Sequence, residues 1–256
     1  MYAEERQQAI AVEVGERGRV SVADLSERFS VTGETVRRDL AALQRAGSLI
    51  RVHGGAVRLD VAAVVDEPDL AEREAARRTQ KAAIGAAAQQ FLPAAGGAVL
   101  FDAGTTTFAA ATAIGADARH QFVTNSLPIA ATLTALPRSN VIFVGGRLRP
   151  KTQASVGADA CDLLAGLHTS VGFIGTNGLT LTDGLSTPDI DEAAVKRAMI
   201  AACDRVVVLA DSSKINRQEL VTFGAVADID VLVTDDGVDP GLASVLSSHD
   251  IEVVIA

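Results

Sequence analysis

Two short stretches of this chain are composed to hold anionic oxygen. The first is Val31-Thr32-Gly33-Glu34-Thr35-Val36-Arg37-Arg38-Asp39-Leu40, with Leu49-Ile50-Arg51-Val52-His53-Gly54-Gly55-Ala56 close behind it. Adjacent guanidinium groups on one helix face carry the donors that read DNA phosphates and base edges, and the short apolar runs after them read as a β-wing. The second stretch is Asp102-Ala103-Gly104-Thr105-Thr106-Thr107. Glycine lets the backbone close on an anion, the start of the following helix offers free N–H groups at the positive end of its dipole, and three hydroxyls add donors. No Gly-Lys-Ser/Thr follows, so this is a phosphate cradle without a lysine, not a nucleotide P-loop. Taken alone, Thr105 to Thr107 suit ordinary helix capping equally well.

The arginine pair needs a helix beneath it, and the spacing of Val36, Leu40 and Leu43 provides one. That stripe turns inward while Glu34, Arg37, Arg38, Ala41 and Arg45 turn outward. Thr32 is placed to cap its start and Gly47 to close its end. A shorter helix precedes it, opened by Ser21 and carrying Val22, Leu25 and Phe29 on one face. A first helix runs from Glu4 to Glu16 with Ile10 and Val14 inward. The wing is expected to go out along Leu49, Ile50 and Val52, turn at Gly54-Gly55, and return through Ala56, Val57 and Leu59. The residues expected at DNA are Ser21, Thr32, Glu34, Thr35, Arg37, Arg38, Arg45, Arg51 and His53. Charged pairs on helices are often only a solvated face, but the charge distribution argues otherwise. Six arginines from Arg28 to Arg58 face Glu34 and Asp39 for a local +4, in a chain of net −9. Residues 1–27 hold three arginines and six acids, which confines the positive charge to the helix and wing.

The chain has 256 residues, so a winged helix-turn-helix domain over 1–59 leaves room for a second domain. Residues 60–80, with Asp60, Asp66, Glu67 and Pro68 at their start, read as a linker and connecting helix; the helical pattern continues to Phe91, as one helix or a pair. The second domain, 81–256, is expected to be α/β. At 48% hydrophobic but 4% aromatic residues, its core is expected to come from Ala, Val, Leu and Ile. Apolar runs at 98–101, 122–123, 141–144, 171–174, 206–209, 231–233 and 253–255 alternate with helix-like segments, the pattern of a mostly parallel sheet. No internal repeat is visible. Cys161 and Cys203 stand far apart with no metal-ligand spacing and are expected to be buried, reduced thiols. Nothing resembles a leader or a membrane span, so a cytoplasmic protein without metal or cofactor is expected.

In an open α/β sheet, ligands bind beyond the carboxyl ends of the strands. Five such ends here are polar or glycine-bearing: Asp102-Thr107, Thr124-Asn125-Ser126, Gly145-Gly146-Arg147, Gly175-Thr176-Asn177-Gly178 and Asp211-Ser212-Ser213-Lys214. The spacing of Glu192 and Lys196 reads as an intrahelical ion pair. Arg147, Arg149 and Lys151 could supply the charge that the threonine loop lacks, or be a solvated loop.

The pairing of Thr35-Val36-Arg37-Arg38-Asp39-Leu40 with Arg51-Val52-His53-Gly54-Gly55-Ala56 resembles the DeoR/GlpR family of bacterial transcriptional repressors, which often has Ser where this chain has Thr32. The resemblance extends to Asp102-x-Gly104-Thr105-Thr106, Thr124-Asn125, Gly145-Gly146, Gly157, Gly175-Thr176-Asn177 and Asp211-Ser212-Ser213-Lys214. It implies an effector domain with a ribose-5-phosphate isomerase-like fold and a phosphorylated sugar or related metabolite as effector. On that reading the effector site comprises Asp102, Gly104, Thr105, Thr106, Thr107, Thr124, Asn125, Gly145, Gly146, Arg147, Lys151, Gly175, Thr176, Asn177 and Lys214. The threonine loop would take the phosphate, while Asp102, Asn125 and the Gly145-Gly146 turn would face the sugar. Met1-Tyr2-Ala3-Glu4-Glu5-Arg6, Thr124 to Ala130 and Phe173 to Thr180 resemble the actinobacterial repressors of sugar-uptake and fructose-utilisation genes, which implies a fructose phosphate. Double-stranded operator DNA is the expected partner, and a homodimer or homotetramer the expected assembly. The rival reading is a sugar-phosphate isomerase with an appended DNA-binding unit, but neither Asp-Gly-Ala-Asp nor Lys-Gly-x-Gly occurs in the chain.

Overall fold

The computed structural model describes residues 3–45, 48–52, 55–57 and 69–256, and leaves out the side chains of Arg45, Arg51 and some neighbours. Gly47, His53, Gly54, Arg58, Leu59 and the linker segment 60–68 lie outside the described residues. Two compact units divide the chain, Met1–Glu67 and Pro68–Ala256.

In the first unit the elements are α1 (Ala3–Arg17), β1 (Arg19–Ser21), α2 (Val22–Phe29), α3 (Gly33–Arg45), β2 (Ile50–Val52) and β3 (Gly55–Val57). Ser21 caps α2 by accepting the Asp24 N–H at 3.0 Å, and Thr32 caps α3 by accepting the Thr35 N–H at 3.2 Å. Ile10, Val14, Leu25, Val36, Leu40, Leu43, Leu49 and Ala56 form the buried core, as the helical spacing predicts. The wing carries a third strand that the sequence pattern does not announce: the antiparallel order is β1-β3-β2. Gly55 belongs to β3 rather than to a turn, with Ser21 and Val52 as its register partners. A Cβ there would lie 2.0 Å from the Val20 carbonyl oxygen, so glycine is what lets β1 close onto β3.

The second unit begins with a helix pair, α4 (Leu70–Ala75) and α5 (Arg78–Ala87), and a 3-10 turn over Ala88–Phe91. Thus α4 and α5, which straddle the expected boundary at residue 80, both belong to this unit. There follow β4 (Ala98–Phe101), α6 (Thr105–Thr112), β5 (Gln121–Thr124), α7 (Leu127–Thr134), β6 (Asn140–Phe143), β7 (Arg147–Arg149), β8 (Ala154–Val156) and α8 (Ala158–Ala165). The chain continues through β9 (Val171–Gly175), β10 (Gly178–Thr180), β11 (Gly184–Thr187), α9 (Ile190–Ala201), β12 (Val206–Leu209), β13 (Val221–Gly224), β14 (Val231–Thr234), α10 (Pro240–Ser248) and β15 (Glu252–Ile255).

Seven strands form one parallel sheet in the order β15-β14-β12-β9-β4-β5-β6, and all seven arise from the apolar runs of the sequence. Its two faces bury different sets of side chains. Leu100, Val123, Ile174, Val208 and Leu232 pack on one face, and Val99, Phe101, Phe122, Phe173 and Val207 on the other, with Phe101 and Phe173 stacked at 5.0 Å. The β7–β8 hairpin and the antiparallel β10-β11-β13 sheet are additions with no counterpart among the apolar runs. From β4 the chain builds outward through β5 and β6, then returns to β9 on the other side of β4. The crevice between the carboxyl ends of β4 and β9 is therefore the topological switch point of the sheet.

Among the described residues, no helix is long and apolar enough to cross a membrane. Cys161 and Cys203 are free thiols and only half-buried, and burial pushes the Cys203 thiol up to about 11.

Candidate functional site

A cavity of about 130 Å³ lies at that switch point. The loop after β4 supplies Gly104, Thr105 and Thr106 to its wall, the end of β9 supplies Gly175, Thr176 and Asn177, and the segment after β12 supplies Asp211, Ser213 and Lys214. Gly104 caps α6 without a side chain, which leaves the N–H groups of the first turn to a ligand. Three of the five polar strand ends thus converge on one space.

The other two ends serve the scaffold. Asn125 is 2% exposed; its amide oxygen accepts the Ala103 N–H at 3.0 Å and its amide nitrogen donates to the Ser155 carbonyl at 3.0 Å. It anchors the threonine loop from beneath instead of facing a ligand. The buried Thr124 accepts the Ser126 N–H at 3.1 Å. Gly146 turns the chain into β7 with φ 138°, and a Cβ on it would meet the Val156 carbonyl at 2.7 Å. Arg147 pairs with Asp191, while Arg149 reaches Asp189 and Glu192, each at 3.1 Å. The basic segment therefore binds the acidic first turn of α9, and Gly145, Gly146, Arg147 and Lys151 do not line the cavity. Nor does Thr107, fully buried with its hydroxyl donating to the Asp102 and Gly104 carbonyls at 2.7 and 2.9 Å.

Asp102, too, serves the scaffold rather than facing a sugar: it is 1% exposed and does not line the cavity. Its Oδ2 accepts from the Lys196 ammonium and from the Gly175 N–H, the latter at 3.0 Å. Lys196 also donates to the Gly175 carbonyl at 2.9 Å and does line the cavity. The partner of Lys196 across the sheet end is thus Asp102, while Glu192, four residues earlier, accepts from Arg149 and Thr152. The wall missed by the sequence reading is α4 and the start of α5: Glu72, Arg73, Ala76, Arg77 and Lys81. Arg73, Arg77 and Lys81 are the cations the threonine loop lacks, and no motif announces them because they come from another element. Burial pushes the Lys81 and Lys214 ammonium groups below the usual lysine range, against the opposing pull of Asp211.

In the first unit, Arg37 and Arg38 project from α3 with side chains 58% and 80% exposed, each 3.7 Å from Glu34. Between those arginines and Leu40, Asp39 turns inward, where the Arg6 guanidinium meets it at 2.6 Å and Gln7 at 2.9 Å. This buried pair ties α1 to the arginine-bearing helix. Arg28, counted above among the local positive charges, is paired with Glu13 at 2.6 Å.

A winged helix-turn-helix with two exposed arginines, joined to an α/β unit with a cation-lined cavity at its switch point, defines a ligand-responsive DNA-binding regulator. Residues 6–61 match the DeoR-like helix-turn-helix domain and residues 76–236 the DeoR C terminal sensor domain, and the chain belongs to the DeoR family of transcriptional regulators. It is 35% identical to the HTH-type transcriptional regulator GlpR of Haloferax volcanii over 99% of this chain and 98% of that one. It is 31% identical to the glycerol-3-phosphate regulon repressor of Escherichia coli K12 over 97% of each, and 31% to the putative aga operon transcriptional repressor of Escherichia coli O157:H7 over 98% and 93%. These relatives are regulators, and so is this chain, not an enzyme. A solved ribose 5-phosphate isomerase A from Methanocaldococcus jannaschii aligns over 55% of each chain at 12% identity and a TM-score of 0.41.

Proposed function

We propose that this regulator is a cytoplasmic repressor of sugar-uptake or catabolic genes, and that a phosphorylated sugar entering the switch-point cavity releases it from its operator. The observation that carries this reading is the convergence of the Thr105-Thr106 helix start with Lys81, Lys196 and Lys214 around one small space. N–H groups and ammonium groups suit a phosphate, and the carboxylates of Glu192 and Asp211 suit sugar hydroxyls. A fructose phosphate is the first candidate from the sequence resemblance; glycerol 3-phosphate joins the panel because one relative's name contains it.

Release requires the ligand to favour a conformer that binds DNA less well, since equal affinity for both conformers shifts nothing. The test is a thermal-shift and DNA-anisotropy panel of fructose 1-phosphate, fructose 6-phosphate, glycerol 3-phosphate and unphosphorylated fructose, on wild type and Thr106→Val. The substitution removes one donor at nearly constant shape. It should leave DNA affinity unchanged while raising the ligand concentration needed for release about tenfold, the equivalent of one hydrogen bond to a charged group. Equal potency of unphosphorylated fructose, or a wild-type response from Thr106→Val, overturns the phosphate assignment.

A further inference from the structure

The connector helix α4 is held to the sensor unit in an unusual manner. None of its six residues is buried, so it lacks the apolar face that normally fixes a short helix. It is held by polar contacts. A capping box closes its start, with the Glu72 N–H donating to Asp69 at 2.9 Å and the Asp69 N–H to Glu72 at 3.2 Å. At its other end the ammonium of Lys81, 7% exposed, donates to the carbonyls of Arg73 and Ala76, the second at 2.7 Å. Arg77, at the junction with α5, adopts a left-handed φ of 51° that a non-glycine residue holds only at a cost. Its guanidinium reaches Ser212 at 2.9 Å, Asp235 at 3.5 Å and Asp211 at 3.6 Å. Lys81 and Arg77 both line the cavity, and α4 follows directly on the segment that joins the two units in sequence.

We infer that Lys81 is the latch between ligand and connector: an anion in the cavity competes with the Arg73 and Ala76 carbonyls for its ammonium, and α4 loosens when the anion wins. The inference rests on the proposal that this cavity takes a phosphorylated sugar. A dianionic phosphate is a stronger partner for an ammonium than a neutral carbonyl, so the exchange of partners runs in the stated direction.

Hydrogen–deuterium exchange of the full chain tests it, with fructose 1-phosphate and inorganic phosphate as probes and thermal shift reporting binding. In wild type, saturating probe should speed amide exchange over residues 70–77 about tenfold. Lys81→Met should show that fast exchange without any probe and no further change with it, whereas Lys214→Met, which removes a cavity cation not bonded to α4, should leave probe-free exchange at the wild-type rate. A Lys81→Met protein whose 70–77 exchange matches wild type overturns the latch, as does a wild type that binds either probe with no faster exchange there; this second measurement stands even if Lys81→Met does not fold. If neither probe binds wild type, the effector proposal fails and the latch falls with it, while fast probe-free exchange in Lys81→Met would then show only that Lys81 holds α4.

Discussion

At the scale of single residues, the deciding quantity is where a charge sits, not which charges are neighbours in sequence. Lys196 and Asp102 are 5% and 1% exposed, while Arg147 and Asp191 are 61% and 50% exposed. Removing one partner of the first pair strands an ion without water. Lys196→Met should therefore cost about 3–5 kcal/mol in urea unfolding, and Asp102→Asn added to it should recover a good part of that loss. Arg147→Ala should cost less than about 1 kcal/mol. If Lys196→Met unfolds at the same urea concentration as Arg147→Ala, the pair is not a structural unit. The sequence revealed that Asp102, Glu192 and Lys196 were chemically notable. It could not reveal the pairing, because an i,i+4 spacing registers neighbours along one helix and is silent about a carboxylate 94 positions away. The inward Asp39 was hidden for the same reason, its partner being on α1.

At the scale of elements, legibility followed apolar composition. Each of the seven parallel strands writes an apolar run that can be read directly, both where the strand is buried along its length, as in β9, β12 and β14, and at the half-exposed sheet edges β6 and β15. The strands β1, β7, β8, β10 and β11 have three or four residues each, many of them small or polar, and leave no run to find. Their positions are set by partners, as Gly55 illustrates. Gly55→Ala would force a Cβ against the Val20 carbonyl, so β1 must separate from β3. The first unit should lose about 2–4 kcal/mol, in the range of overpacking plus broken strand pairing. Thermal unfolding followed by calorimetry should show this loss while any transition of the second unit, and its response to fructose 1-phosphate, stay at wild-type values. A matching drop in both would mean that the two units do not unfold independently. The same logic explains why the glycine-bearing end after β6 is structural: a glycine there signals a tight approach, and at Gly146 the approaching group is the Val156 carbonyl.

For the whole molecule, charge and copy number govern binding to DNA. A chain of net −9 is repelled by DNA everywhere except where arginines outnumber acids, so its affinity depends on a few contacts and on how many copies of them are presented together. With Arg28 paired to Glu13 and Asp39 to Arg6, the outward charge of α3, among the described side chains, rests on Arg37 and Arg38, opposed by Glu34. One winged unit so equipped reads a short half-site, which is why a second copy beside it is expected. The expected homodimer or homotetramer can be tested through salt. Each phosphate contact contributes about −0.9 to the slope of log affinity against log salt. If Arg38 grips a phosphate, Arg38→Ala should make the slope shallower by about 1.8 for two copies on one site, but by about 0.9 for a single copy. If it reads a base edge, the slope should hold while affinity for the specific site falls by about 1–3 kcal/mol per copy. Light scattering on the same samples fixes the mass, and a monomer that binds one copy per operator removes the oligomer. An Arg38→Ala protein with unchanged affinity and unchanged slope removes this arginine from the DNA contact, whatever the mass.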